Sequence, residues 1–401
     1  MIRNAFEMPD EYTTALGEWL RFDLSPASLS TRSGKEYIAQ KAEIVSQITE
    51  GLTTHRDTFL ASGYLKQKKI REAYALYYMT TNLLKIVQPL REISHSHFFE
   101  HSSSLRVLDL GTGIGAAAWG ALTYFLKEKK NCRPEIMLTD SLGENLFEAE
   151  DFSRHFIPRL SGVMPKLSFA KFNLWKPNEI PEAIKKQAPF HLILMMNVLN
   201  ELDEANDQAI HESVMSLLDA NGAIIIIEPA TRLESRRLLR FRDMAVTLGA
   251  TIYSPCTRQA DCPALIKDDD WCHTDVAWMR PKFIEAIDDI VGTLRLSLKY
   301  SYIILRKDEL TLSKMFDQKN LYRIVSERFN EKGRIRSILC GENGRYEHVI
   351  NKRDLSSYNK DFTEIQRYDL VSLEEAERRE HDIRLLKDSK FSIVLPNLGA
   401  Q

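Results

Sequence analysis

Apolar residues recur at helical spacing over residues 38–52 and again over 76–90, the period of an amphipathic helix. Residues 1 to about 100 therefore read as a helical region that no strand pattern interrupts. Within it, Arg71-Glu-Ala-Tyr-Ala-Leu-Tyr-Tyr78 gathers aromatics on one stretch of helix, read as core packing against the next unit. From Leu105 the pattern changes. Short apolar runs at 105–110, 135–140, 167–172, 190–196 and 223–228 alternate with helical stretches at 116–129, 144–156, 182–187 and 207–218. Strict alternation of this kind predicts an α/β fold with a parallel, doubly wound sheet. An arginine-rich helix over 233–248 follows, then a short strand near Ile252, a cysteine-containing insertion at 255–280, a helix over 281–294 and a strand over 298–306.

Residues 308–401 read as a third region. Short strands at 322–326, 334–339 and 345–350, separated by glycine-containing turns, suggest a small β-rich unit resembling an OB barrel. The charged stretch 373–387 reads as a solvated C-terminal helix. The expected organisation is thus a helical region (1–100), an α/β core (101–307) and the β-rich unit (308–401).

Composition narrows the picture. The 401 residues carry 54 basic and 56 acidic side chains, a net charge of −2. That excludes an overall basic RNA-coating protein and leaves room for a local basic patch. No apolar run approaches membrane-spanning length, and 223–227 is strand-sized, so no membrane span is expected. The N-terminus has no apolar signal region and carries Glu7, Asp10 and Glu11, which predicts a cytoplasmic protein without a leader. Of the five cysteines, Cys256, Cys262 and Cys272 fall within one short insertion, while Cys132 and Cys340 stand apart.

The first predicted strand runs through Val107-Leu-Asp-Leu-Gly-Thr-Gly-Ile-Gly115 straight into a helix. Glycines there allow a tight turn and close ligand approach, and the helix N-terminus offers unpaired N–H groups. A dinucleotide fingerprint fits the same spacing. Three details favour S-adenosylmethionine. Asp109 would repel a pyrophosphate but attract a cationic sulfonium and its amino group. Asp140, at the end of the second strand, suits two ribose hydroxyls and lies farther from Gly111 than the roughly 20 residues of a nicotinamide-type unit. The chain also continues with a late strand pair after the fifth strand.

The loop resembles motif I of class I methyltransferases. The resemblance implies that Asp109, Gly111, Thr112, Gly113 and Gly115 line the methionine end, that Asp140 with Ser141 holds the ribose, that Asn173 and Leu174 face the adenine, and that Asn197 lies under the transferable methyl. The competing reading makes Asp140 and Asn173 caps of helices or turns.

Met196-Asn-Val-Leu-Asn-Glu-Leu-Asp203 follows the fourth strand. It lacks the Asn-Pro-Pro-Tyr type motif that cradles an exocyclic amine, and the cysteine that attacks a pyrimidine ring. Asn197, Asn200, Glu201 and Glu228 are polar candidates; Glu201 and Asp203 serve equally as first-turn helix acids. No residue is assigned as general base, so whether methyl transfer is catalysed stays open at this level.

The insertion reads Pro255-Cys-Thr-Arg-Gln-Ala-Asp-Cys-Pro-Ala-Leu-Ile-Lys-Asp-Asp-Asp-Trp-Cys-His273, with Cys340 following in the β-rich unit. Zinc sites usually show close Cys-x-x-Cys pairs; none exists here. Cys256, Cys262, Cys272 and Cys340 better suit a structural [4Fe-4S] cluster that clamps the last region to the core. Zinc with His273 as fourth ligand, and ordinary buried thiols, are the alternatives.

Together these pieces resemble the methyltransferase-like family of mitochondrial small-ribosomal-subunit assembly factors and their bacterial relatives. The matching segments are 71–78, the loop 109–115, Asn200-Glu-Leu-Asp203, Ile227-Glu-Pro-Ala-Thr231, the cysteine run and Tyr300-Ser-Tyr302. Ala230 and Thr257 depart from the family's usual Gly and His without removing a cysteine. The resemblance implies a four-iron cluster on four cysteines and action on the small ribosomal subunit RNA, either as an rRNA methyltransferase or as a non-catalytic assembly or RNA-binding factor. Arg232, Arg236 and Arg240 fall on one helix face and offer a phosphate-binding stripe; pairing with Glu234 and Asp243 is the competing use. The free protein is expected to be a monomer.

Overall fold

The computed structural model describes residues 5–54, 64–100, 104–128 and 133–397; Cys132 lies outside the described residues. After a short strand β1 (Phe6–Glu7), helices Asp10–Leu20 and Arg32–Thr54 lead to a series of short helical segments. The expected single helix over 76–90 is broken there. Helix Lys68–Tyr74 passes into a π turn at Ala75–Met79, then Thr80–Leu83, a 3₁₀ turn at Leu84–Ile86 and helix Val87–Ser94. The Thr80 hydroxyl lies 3.1 Å from the Ala75 carbonyl, a side-chain bond five residues back at the turn itself. Insertions of this kind re-aim the side chains beyond them. Nor is the region free of strand: β1 pairs in parallel with a strand of the core at Phe6 and Glu7.

The core sheet contains β2 (Leu105–Leu110), β3 (Pro134–Asp140), β4 (Lys166–Lys171), β5 (Phe190–Met196), β6 (Leu218–Pro229), β7 (Thr251–Ser254), β8 (Thr274–Met279) and β9 (Ser297–Arg306). Their order is β1-β8-β9-β6-β5-β2-β3-β4, with β7 also on β9. β6, β5, β2, β3 and β4 are mutually parallel, and β9 runs antiparallel to β6. The direction of winding reverses between β2 and β5, so the ligand crevice falls at their carboxyl ends. This is the doubly wound core with a late antiparallel addition that the sequence predicted for a class I methyltransferase fold.

Both sheet faces are covered. Val107, Leu192 and Ile225 belong to one apolar cluster together with Trp119, Phe125 and Phe152. Their strand neighbours Leu108, Ile193 and Ile224 pack in a second cluster with Val214, Leu238 and Phe241. Burial on both sides is why these strands read as unbroken apolar runs rather than as alternation.

The last region is a separate sheet of β10 (Leu321–Ile324), β11 (Phe329–Asn330), β12 (Arg334–Gly341), β13 (Gly344–Asn351), β14 (Leu370–Arg378) and β15 (Asp382–Leu395). β10 pairs with both β14 and β12, and the run β14-β15-β13-β12 closes the ring. Ile324, Leu339, Ile350, Val371, Leu385 and Phe391 fill its interior. The helix expected over 373–387 is instead the β14–β15 hairpin. Val371, Leu373 and Leu385 are buried in the barrel while the charged residues between them face solvent. Strand pairing and burial override the helical propensity of Leu-Glu-Glu-Ala, and a register shift between Glu374 and Ala376 places Glu375 at φ +60°.

The regions are tied through polar contacts. Arg323 on β10 reaches the Glu92 carboxylate at 3.0 Å, with both side chains buried. Tyr302 on β9 donates to the same carboxylate at 2.8 Å, and Gln88 at 3.1 Å. Arg71 donates twice to Glu148 and once each to the Leu65 and Lys66 carbonyls, fastening the helical region over the helix Gly143–Phe156.

Candidate functional site

β2 ends in a turn where Gly111, Gly113 and Gly115 all take positive φ, +66°, +56° and +100°. A Cβ on Gly111 would come within 2.8 Å of Val198, and one on Gly115 within 2.2 Å of the Trp119 indole nitrogen. Gly113 faces open space, with nothing within 4 Å of a Cβ position. The three glycines therefore have different duties. Gly111 lets the loop approach the turn after β5. Gly115 makes room for Trp119, whose Nε1 donates to the Ile114 carbonyl at 2.7 Å. Gly113 leaves the backbone open to a ligand.

Two carboxylates order this loop. Asp109 accepts from the Thr112 hydroxyl (2.6 Å) and from the Ala118 N–H (3.1 Å) at the first turn of the following helix. Burial pushes its carboxyl up to about 7, against the pull of those two hydrogen bonds. Asp140, at the end of β3, accepts from the Gly113 N–H at 2.9 Å with one oxygen. Its other oxygen takes the Leu142 N–H (2.9 Å) and the Asn145 side-chain amide (3.1 Å). Burial raises Asp140 as well.

Past β4, the Asn173 side chain accepts from the Trp175 N–H at 3.1 Å, so it does cap a turn, while also facing the crevice. Past β5, Asn197 takes φ +57° and donates its backbone N–H to Ile227 at 2.8 Å. Its side-chain Oδ1 is buried with no hydrogen-bond partner. The turn that follows is pinned by Glu228 at the end of β6, whose carboxylate accepts the N–H groups of Val198 (3.0 Å), Leu199 (2.9 Å) and Asn200 (3.3 Å). Burial raises Glu228 to about 8 despite those donors.

These elements surround a cavity of about 590 Å³. Asp109, Gly111, Thr112 and Gly113 form one wall, and Asp140, Ser141, Asn173 and Leu174 another. Asn197 closes the end nearest β5. Gly115 is not on the wall; it stands behind the loop against Trp119. Glu228 is not on it either, because it is spent on backbone amides.

The helical region supplies wall residues that sequence reading did not place at the site. Tyr74 and Asn82 both line the cavity, as do Trp175 and Glu201 from the core. Their spacing on either side of the π turn hides them from a simple helical count. The exposed Trp175 beside Asn173 was the one available signal.

In the arginine helix, Arg232–Thr247, Arg232 of the expected stripe is exposed, while Arg236 and Arg240 are engaged within the chain. Arg236 donates to the Ala264, Lys267 and Asp270 carbonyls. Arg237 donates to the Leu202 carbonyl and to Asp207, and Arg240 pairs with Glu204. Arg242, buried, holds the Ala260 and Arg258 carbonyls, and the neighbouring Asp243 accepts the Cys262 N–H. The helix is a rack on which the cysteine insertion hangs.

The structure brings the four cysteines into one neighbourhood, where each of Cys256, Cys262 and Cys340 feels other thiols of the set. Burial first, then Cys256 and Cys272, pushes the Cys340 thiol up to about 12. Burial, Cys256, Cys272 and Cys340 act in the same direction on Cys262. Burial raises Cys256, opposed by the Arg242 guanidinium. Thr257 donates to the Cys340 carbonyl at 3.4 Å, linking insertion to barrel. Among the described residues, no three His, Cys, Asp or Glu side chains stand at metal-holding separation. No helix among them is long and apolar enough to cross a membrane.

Comparison with known proteins bears on the family. A search of the curated proteins finds no match. Solved structures similar to this chain include the plantazolicin methyltransferase BamL in complex with a desmethyl analogue and SAH (12% identity, 68% of this chain and 99% of that one, TM-score 0.36). An O-methyltransferase family protein from Burkholderia thailandensis shares 13% identity over 74% of this chain and 76% of its own, at TM-score 0.36. Precorrin-6y C5,15-methyltransferase from Geobacter metallireducens shares 14% over 54% and 87%, at TM-score 0.30. Values this low bear on neither fold, substrate nor partner. The family model described as mitochondrial small ribosomal subunit Rsm22 matches residues 68–363, from the helix before the π turn through the barrel's first four strands. The chain therefore belongs to the Rsm22 family of the mitochondrial small ribosomal subunit.

Proposed function

We propose that the chain binds S-adenosylmethionine in the cavity at the ends of β2, β3 and β5 and acts on RNA of the small ribosomal subunit as a methyltransferase. The observation that carries this reading is the cavity wall itself. It combines the open Gly113 turn, the carboxylates of Asp109 and Asp140, and the Asn197 turn in one space of about 590 Å³. Asp109 suits the cationic end of the cofactor. Asp140 suits ribose hydroxyls, and Asn173 with Leu174 the adenine. The bound cofactor supplies an activated methyl group; the chain contributes orientation and a turn at Asn197–Asn200 held rigid by Glu228. Family membership supports the ribosomal partner.

The same reading gives Cys256, Cys262, Cys272 and Cys340 to a [4Fe-4S] cluster. What supports it is the donor chemistry, three thiols of the insertion and one of β12 with the guanidinium groups of Arg242, Arg345 and Arg258 near them, although the described residues do not stand at metal-holding separation. In that role the cluster is a cross-link between the insertion and the barrel rather than a reaction centre.

One observation favours a second reading, a binding factor without catalysis. The buried acid nearest the β5 turn, Glu228, has its carboxylate turned to three backbone amides and lines no part of the cavity. Calorimetry with S-adenosylmethionine tests the cofactor: one site per chain is expected, and no binding overturns the proposal. Mapping methyl groups on small-subunit RNA from cells with and without the protein separates the two readings. Loss of one defined methyl supports the enzyme; an unchanged map with intact cofactor binding leaves the binding factor.

A further inference from the structure

Resting on the RNA reading above, we propose that a groove of lysine and aromatic side chains, running from the cofactor cavity past the end of β4, holds single-stranded RNA and leads it to the cavity. The groove is a series of joined hollows. The cavity shares Ser141, Phe172 and Asn173 with a hollow that also takes in Lys171 and Lys176. That hollow shares Lys171 with a further one, walled by Lys68 and Phe147. Basic and aromatic side chains are interleaved along this path. Lys66 and Trp175 stand at the cavity, Lys176 and Lys171 follow, and Lys68 and Phe147 stand at the far end.

The cations on this path are available to a ligand. Lys66, Lys68 and Lys171 are exposed, and among the described residues none of them forms an ion pair. The acids nearby are largely taken. Glu148 pairs with Arg71 at 2.9 Å, Glu179 with Lys176 at 3.2 Å, and Asp151 lies 3.5 Å from Arg154. Glu201, on the cavity wall, is engaged within the chain. That leaves Glu144 as the acid facing the free lysines. Gly143 makes room for Lys171: a Cβ there would meet its Nζ at 2.8 Å, so the ammonium lies across the start of the helix Gly143–Phe156. Phe147 and Trp175 are 62% and 54% exposed. Open rings beside ammonium groups suit a single strand, whose bases stack on the rings while its phosphates meet the cations. A duplex keeps its base faces stacked and gains nothing from such rings, and a base has to leave its stack before it can enter a cavity.

The experiment uses the full chain, a short end-labelled oligouridine and an RNA duplex of the same length. The wild type should bind the single strand about tenfold more tightly than the duplex. Lys68→Ala with Lys171→Ala should weaken that binding and flatten the slope of log affinity against log salt by about 0.7 for each lysine removed. Phe147→Ala should weaken binding about tenfold and leave the slope alone. Lys35→Ala with Lys387→Ala, which removes two exposed lysines from other elements, should change neither. Melting curves establish that each variant is folded. Equal affinity for duplex and single strand, an unchanged slope in the Lys68 and Lys171 variant, or an equal loss in the Lys35 and Lys387 variant overturns the inference. So does polyglutamate displacing the RNA from the wild type at equal charge, which marks the groove as a general anion surface. Calorimetry with S-adenosylmethionine keeps the underlying reading separate. The Lys68 and Lys171 variant should bind the cofactor as the wild type does. A wild type that binds RNA in the groove but no cofactor overturns the methyltransferase reading and leaves the groove standing.

Discussion

Arg323 and Glu92 form a buried ion pair at 3.0 Å that joins the first strand of the barrel to the helix Val87–Ser94. Arg323 also donates to the Pro255 and Tyr368 carbonyls, so one guanidinium meets the helical region, the cysteine insertion and the barrel. Removing one member leaves an uncompensated charge in the interior. Arg323→Ala should cost about 3–5 kcal/mol of unfolding free energy. The pair Arg323→Met with Glu92→Leu should cost less than either single change. Denaturant unfolding of the three variants checks this.

The glycines of the loop should separate folding from binding. Gly115→Ala drives a Cβ to 2.2 Å from Trp119 at φ +100° and should destabilise the protein strongly. Gly113→Ala meets open space and should cost only about 1 kcal/mol for its left-handed backbone. It should nevertheless weaken S-adenosylmethionine binding at least tenfold, because the methyl occupies the ligand's approach. Thermal unfolding alongside calorimetry distinguishes the two effects.

Stability should have a minimum near neutral pH. Asp109 and Glu228 are raised by burial to about 7 and about 8. The folded state therefore holds protons that the unfolded chain has released, and stability falls as pH rises from about 4 to about 8. Lys85 behaves oppositely. Burial first, then Arg295, lowers it to about 7, so the unfolded chain holds the extra proton and stability rises from pH 7 to about 10.5. Lys85→Met should abolish the alkaline rise and raise the melting temperature at pH 7 and below. A series of melting curves across pH is the check; an unchanged alkaline limb in Lys85→Met counts against the assignment.

Metal content tests the cysteine site. Protein purified without oxygen should be brown with about four iron atoms per chain. Chelation should make the hairpin and the insertion more sensitive to protease, since the cross-link to β12 is lost. Arg242→Leu should mimic chelation in part, because Arg242 holds the Arg258 and Ala260 carbonyls from behind. Colourless protein with stoichiometric zinc would sink the iron assignment.

The α/β core was legible because burial on both faces leaves unbroken apolar strands, and because the glycine loop announces the turn after β2. Asp109, Asp140 and Asn197 were legible for the same reason: they sit at fixed offsets from strand ends. Tyr74 and Asn82 were not, since a π turn lies between them and shifts the helical phase. The hairpin over β14 and β15 was also hidden. Its charged residues satisfy a helical pattern locally, and only pairing with β10 and β13 decides otherwise. The arginine helix failed in a third way. Arg236 and Arg242 hold carbonyl oxygens of the cysteine insertion, while Arg237 and Arg240 pair with Asp207 and Glu204, partners that no sequence pattern marks as near.

The closed ring of the barrel leaves the larger sheet to supply the strand borders open to self-association. One border is β4, which pairs with β3 alone and is bracketed by exposed Lys166 and Lys171. On the far side the borders are β7, four residues long and paired with β9 alone, and β1, two residues long. A lysine-bracketed border and short ones are poor templates for another chain's backbone. The architecture thus guards against fibre-like stacking while its working crevice, at the opposite kind of surface, remains open.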